Sequence, residues 1–257
     1  MVEAATLRIR AYNALRLRLL RGDFAVHHRL IAEDLAEIIG ISRTPVREAL
    51  MQLASEGLVN LIPRAGWFVS LPDAAQQYDL FETRILVEGY SAAGAAQLAN
   101  PVERAQLREL LMQQRHEARR LYENESLILD PACHYAWNEL DIAFHRQILR
   151  CCGNGMLLPI ADGTGLLTRV AIVSQTLARK RIDLAVGGTA SERAAMVDHL
   201  RRVVLARLKS HYRIARAILR RDAASARAAM IDHIQYARSN ASQVAISQEE
   251  ALAVASE

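Results

Sequence analysis

Three amphipathic stretches open the chain. From Thr6 to Leu20, Tyr12, Leu15 and Leu19 share one helical face, and Gly22 stops the run. A second, short helix is predicted over Ile31–Ile38 and ended by Gly40. The third is the clearest: Val46, Ala49, Leu50, Leu53 and Ala54 follow at i, i+3, i+4, i+7 and i+8. Ser42 takes the N-cap of that helix, Pro45 sits in its first turn, and Gly57 lies where a C-terminal cap belongs. Two helices joined by a glycine-containing turn make a helix-turn-helix. The pattern then switches period. LVNLI and WFVSL read as two short strands around the turn Pro63-Arg64-Ala65-Gly66, which adds a hairpin wing. Residues 6–71 are therefore predicted to form a winged helix.

Beyond Pro72 strand-like alternation disappears. Helices are predicted near 74–99, 102–123, 131–151, 155–180, 190–220 and 223–248, with an Ala-rich tail fraying after Ser242. Short connections between them favour an antiparallel bundle. The expected fold class is mainly α: an N-terminal winged helix-turn-helix domain over residues 1–72, then an all-α antiparallel helical bundle over 73–257.

Composition agrees with helix. The 257 residues are 51% hydrophobic and only 5% aromatic, with 12 Gly and 6 Pro, which disfavours β-sandwiches, collagen and disulfide scaffolds. A formal charge of +4 permits a nucleic-acid partner without arguing for one. The basic residues are 30 Arg and 2 Lys, and neither half of the chain is a polybasic tail. Three cysteines, two of them adjacent, make no disulfide framework and suit a reducing compartment. Cys151 and Cys152 read better as packed thiols near a helix end than as a metal or redox pair. The start lacks a signal-peptide core, and the longest uncharged run, Gly89–Val102, is too short to span a membrane. A soluble, cytoplasmic protein is expected.

Two constellations carry candidate chemistry. In a helix-turn-helix the N-terminal end of the second helix enters the major groove. Here that end presents Arg43, Thr44 and Arg47, able to grip phosphate or fork onto guanine, and Arg64 tips the wing. The alternative is a solvated helix face. The second constellation is histidine. Asp141 and His145 project from one face at i, i+4. His211 and His233 would stand about 33 Å apart on one helix. The Arg221-Asp222 break lies midway between them, however, so a helical hairpin sets them opposite each other on apolar faces. Three imidazoles and a carboxylate inside a bundle suit a divalent transition metal. Satisfied core histidines are the competing reading.

The string ISRTPVREAL, the EGLV after it and the R-x-G wing resemble the DNA-binding domain of the GntR superfamily of bacterial transcription regulators. That resemblance implies phosphate and base contacts from Ser42, Arg43, Thr44 and Arg47, with Arg64 and Gly66 entering from the wing. Glu33, beside Asp34, departs from it, because members often carry a basic residue there; the family's contact at that position is expected to be absent. FETRILVEGYSA, LDIAFHRQIL with its following GN, the His211–Asp222 segment and M-x-x-H-I are similar to the FCD-type effector domain of the FadR-like branch. The implied metal ligands are Asp141, His145, His211 and His233. Ser210 stands where Glu commonly precedes the first late histidine. Arg84, beside Glu88, is the implied fork for an effector carboxylate, against the alternative of an ordinary i, i+4 surface pair.

The resulting expectation is a regulator rather than an enzyme: a homodimeric repressor on a double-stranded operator, released by a small carboxylate metabolite bound at the metal. Zinc is the first expectation for that metal, with nickel or manganese as alternatives. A metalloenzyme using the same cluster is disfavoured by the absence of H-E-x-x-H or a nucleophile motif, and would leave the winged helix unexplained. A DNA-binding protein with a purely structural metal is the third reading.

Overall fold

A computed structural model describes residues 2–25, 27–70, 72–163, 166 and 186–255. Helix α1 (Val2–Arg21) starts earlier than its apolar stripe and ends at Gly22, whose φ of 70° closes the turn. Helix α2 (Ala32–Ile39) buries Ala32, Leu35 and Ala36. It stops because Gly40 adopts the left-handed conformation, φ 72°, and returns its amide to Ala36 and Glu37. Helix α3 (Arg43–Ser55) buries Val46, Ala49, Leu50 and Leu53 completely. Ser42 occupies the N-cap position with extended backbone, but its side chain makes no capping bond, contrary to expectation. Ser42 is exposed, which lets water satisfy the first amides of α3.

The hairpin forms as strands β2 (Val59–Ile62) and β3 (Gly66–Val69), paired antiparallel. A further strand, β1 (Arg29–Leu30), pairs with β3 and makes a sheet of order β1-β3-β2. The sequence pattern did not predict it, because two residues carry no readable periodicity. Across the domain, the Tyr12 hydroxyl of α1 donates to Glu56 at the end of α3, 2.8 Å away. Burial raises the Glu56 carboxyl, against the bonds from Tyr12 and Gln52.

The helical part begins with α4 (Ala74–Leu98), which Asp73 caps in a reciprocal box with Gln76. Asn100 and Glu103 repeat the device for α5 (Pro101–Glu123), with proline at its first position. A short α6 (Glu125–Ile128) and a 3-10 turn (Pro131–His134) lead into α7 (Tyr135–Cys151). The predicted single helix over 131–151 is thus two pieces, its first turn being 3-10. Of the helix predicted over 155–180, α8 (Leu157–Gly163) is present, and apart from residue 166 the part beyond 163 lies outside the described residues. Thr189 and Glu192 box the start of α9 (Ala190–Leu219). Helix α10 (Ala223–Ala255) continues past the end predicted near 248, so the tail is helical rather than frayed.

Helix α10 lies along α4 and α9, while α7 is clasped between α4 and α5. Phe144, Ile148, Ile214, Ile218, Met230 and Ile234 fill the space between them. Gly94 lets α4 pass the end of α7, since a Cβ there would collide with the Cys152 carbonyl. Cys151 and Cys152 are buried free thiols at that helix end. The two parts of the chain meet where Arg16 of α1 pairs with Glu139 of α7 at 3.2 Å and Arg21 lies over the Tyr135 ring. Among the described residues no helix is long and apolar enough to cross a membrane.

Leu53 is wholly enclosed beneath the helix-turn-helix. Leu53→Ala is expected to destabilise the protein by about 2–5 kcal/mol in urea unfolding, the usual cost of a core leucine cavity.

Candidate functional site

Arg43, Thr44 and Arg47 are all exposed on the first two turns of α3. They face outward because Pro45, Val46, Ala49 and Leu50 take the buried positions between and after them. Arg64 adopts a positive φ of 64° at the tip of the hairpin, and Gly66, φ 108°, follows it in a conformation that disfavours a side chain. Arg29 of β1 passes within 3.5 Å of where a Cβ on Gly66 would stand, which adds a cation to the wing. Its pairing through an unpredicted strand hid it from the sequence pattern. Glu33 does not stand alone on this face. Its Oε1 accepts from Nη1 of Arg43 at 3.0 Å, and that bond holds the carboxyl below its ordinary range.

The histidine constellation assembles inside the bundle. Helix α7 supplies Asp141 and His145, α9 supplies His211, and α10 supplies His233. One donor atom from each lies within 4.8 Å of the other three. The hairpin that joins the last two turns where expected: Arg221 takes φ 60°, and Asp222 accepts from the Ser225 amide at 3.0 Å to start α10.

Hydrogen bonds decide which imidazole nitrogens are left. The Gln114 side-chain nitrogen donates to the Leu140 carbonyl at 3.0 Å, so its oxygen accepts from Nδ1 of His211, 2.8 Å away. The Ser210 hydroxyl donates to the Arg207 carbonyl at 2.7 Å, so it accepts from Nδ1 of His233, also 2.7 Å away. Both rings therefore carry the proton on Nδ1, and His211 turns its bare Nε2 to within 3.5 Å of Asp141 Oδ1. Burial, reinforced by the neighbouring histidines, keeps both neutral: His211 falls to about 3 despite the attraction of Asp141, and His233 lies well below its usual value.

Asp141 stays ionised. Burial opposes its charge, but Arg207, His145 and His211 outweigh it and lower its carboxyl. Its Oδ1 and the inward Nε2 of His211 are buried without a hydrogen-bond partner. Such orphaned acceptors are costly in a protein interior. A divalent cation would satisfy them, so the donor set fits a metal, with one carboxylate oxygen and three imidazoles and no thiolate.

Arg84 is no surface pair. Its guanidinium is buried at 4% exposure and grips Glu88 through Nε and Nη2, while Nη2 also lies 3.5 Å from Nε2 of His145. On the other side of that ring, Nδ1 approaches Glu88 Oε2 at 2.5 Å, out of hydrogen-bond alignment. Burial alone would push the Glu88 carboxyl up; Arg84 and His145 overcome it and hold it at about 2. Arg207, one turn before His211, stands 3.8 Å from Asp141 and adds a second cation. Sequence reasoning named neither Arg207 nor Gln114. The i−4 spacing to His211 was an available signal for Arg207, whereas Gln114 lies 97 residues from the ring it orients. His134 donates to the Ile128 carbonyl at 2.8 Å and is structural.

Residues 7–69 match the family described as bacterial regulatory proteins, gntR family, and residues 79–236 match the FCD domain. The chain belongs to the GntR family. It is a DNA-binding transcriptional regulator of that family with an FCD effector domain, and not an enzyme. An HTH-type transcriptional regulator in an unstable DNA locus of Streptomyces ambofaciens is 32% identical over 214 residues, 78% of this chain and 85% of that protein. The Nta operon transcriptional regulator of Aminobacter aminovorans is 34% identical over 112 residues, covering 44% of this chain and 53% of its own. Among solved structures, E. coli McbR/YncC superposes with a TM-score of 0.69 at 21% identity, over 92% of this chain and 97% of that one. A GntR regulator from Rhodococcus sp. RHA1 gives 0.66 at 19%, over 91% and 96%. These two share the fold of this GntR-family chain.

In the metal-free regulator, Arg84→Met strands a buried Glu88 carboxylate and is expected to cost about 3 kcal/mol in urea unfolding at neutral pH. The wild-type pair contributes fully above about pH 4.3, the ordinary Glu value, and is lost as pH falls toward 2. The deficit of the variant should therefore shrink on acidification. A deficit that stays constant as pH falls from about 4.3 toward 2 would contradict this origin.

Proposed function

We propose that this GntR-family regulator is a cytoplasmic, homodimeric repressor whose FCD domain senses a small carboxylate through a divalent metal held by Asp141, His145, His211 and His233. The observation that carries the reading is the pair of orphaned acceptors, Asp141 Oδ1 and His211 Nε2, among four converging donors. The two oriented histidines support it, because Gln114 and Ser210 hold their rings in the tautomer that ligation requires. Bound there, the metal would act as a Lewis acid toward an oxygen ligand and complete the satisfaction of the cluster.

Charge supports an anionic effector. Arg84 and Arg207 balance Glu88 and Asp141, so a divalent ion leaves the site two positive charges in excess. A single carboxylate halves that excess and a dicarboxylate cancels it, whereas a neutral ligand leaves the buried charge uncompensated. Arg84 is the fork for the effector, which must share it with Glu88 and His145. Zinc, nickel and manganese all suit the donor set.

On the DNA side, Ser42, Arg43, Thr44, Arg47, Arg64 and Gly66 form the contact surface, with the start of α3 in the major groove and the wing beside it. Two winged helices in a symmetric dimer would meet a two-fold-related operator. The effector acts by preferring one arrangement of those two domains, with a coupling of about 1–3 kcal/mol to operator affinity.

Three measurements on one preparation test this: metal content, the duplex selected from a random pool, and release of that duplex by a panel of carboxylates. About one metal per chain and carboxylate-dependent release are expected. Metal-loaded protein that no carboxylate releases would overturn the sensory role, and unfolding on chelation would favour a structural metal. His211→Ala is expected to abolish stoichiometric metal, and Gln114→Ala to weaken it by about 10–100-fold in a chelator competition. Unchanged stoichiometry in His211→Ala would remove that ligand.

A further inference from the structure

We propose that Glu33 is a specificity-determining residue of the DNA-reading face, acting by holding Arg43 for a base edge and excluding it from phosphate. The proposal rests on the reading that Arg43 contacts DNA.

An acid on a surface meant for a polyanion is unfavourable unless something is gained from it. Glu33 sits in the first turn of α2, opposite the first turn of α3, and its Oε1 accepts from Nη1 of Arg43 at 3.0 Å. Both side chains remain largely exposed, 55% for Glu33 and 67% for Arg43. An ion pair so open to solvent contributes little to folding, so its place on this face is not explained by stability. Helix α3 has no acid in its first turn to perform the same task, and Arg47 reinforces the pull on Glu33 without a bond of its own to it.

Geometry gives the pair a function. With Nη1 committed to Glu33, the Nε–Nη2 edge of Arg43 remains for the forked contact to guanine O6 and N7. The same pairing cancels the charge with which Arg43 would otherwise neutralise a phosphate on any sequence. Sequence-independent affinity comes chiefly from such neutralisation, and each neutralised phosphate adds about 0.9 to the salt slope. Glu33 therefore lowers binding to random DNA more than binding to the operator. Lost non-specific affinity becomes discrimination.

The test uses the full-length protein, the duplex selected by wild type from a random pool, and an unrelated duplex, each across about 50–200 mM salt. Glu33→Gln keeps the shape and removes the charge. It is expected to bind the unrelated duplex several-fold more tightly, to steepen the salt slope by about one, and to reduce preference for the selected duplex by about tenfold. Repeating the selection with Glu33→Gln should relax the same base pair that Arg43→Ala relaxes. In an Arg43→Ala background, Glu33→Gln should leave preference unchanged, because the two act as a unit. A Glu33→Gln variant that shifts both duplexes equally, or whose effect persists undiminished in Arg43→Ala, overturns the proposal. An Arg43→Ala variant with wild-type preference at every base pair instead removes the reading beneath it.

Discussion

The helical domain is organised around one constraint: polar groups inside a packed bundle must each find a partner. Glu88, Arg84, Gln114, His145, His211 and His233 are all buried there, amid Phe144 and the apolar faces of α4, α9 and α10. Most of their capacity is used internally. Glu88 neutralises Arg84, Gln114 takes one face of His211, and Ser210 takes one face of His233. Two of the atoms left unsatisfied meet at one point, where Asp141 and His211 direct bare acceptors toward each other. The bonds that stabilise the cluster and the acceptors left unpaired thus belong to the same few side chains.

Helix α7 links this centre to the other half of the molecule. One face of it carries Asp141 and His145; another carries Tyr135 and Glu139, which meet Arg21 and Arg16 of α1. Helix α1 in turn packs on α3, with Tyr12 bonded to the buried Glu56 at the end of the reading helix. A single helix therefore borders both the histidine cluster and the DNA-binding domain. At the far end of α3 the charged groups are solvent-exposed, where interactions are weak and adjustable. Buried polar groups lie at the histidine cluster and exposed charge at the start of α3.

Much of this was legible because it is local. The stripe from Val46 to Leu53, the capping glycines and the switch from period 3.6 to period 2 fixed the winged helix. The loss of alternation after Pro72 marked the bundle. Even the meeting of His211 and His233 followed from counting to a break. What escaped was either too short or too distant. Strand β1 is two residues long, so it exists only through its pairing with Trp67 and Phe68. Gln114 reaches His211 across the bundle, and its role depends on where its amide nitrogen goes. Ser42 looked like a cap because of its residue type, yet capping is a matter of side-chain rotation, which spacing cannot specify. Arg84 and Glu88 have the spacing of a surface pair, and only the packing around them makes the pair buried.

The hairpin between α9 and α10 brings its histidines together by length. Eleven residues separate each ring from Asp222, and each helical residue turns the chain by about 100° and advances it 1.5 Å. Residues between the rings and the turn can change identity freely so long as the apolar face survives. A single insertion or deletion on one arm would swing its imidazole out of the core. The left-handed Arg221 and the Asp222 cap thus act as the origin of a ruler, and the segment is tolerant of substitution while being strict about number.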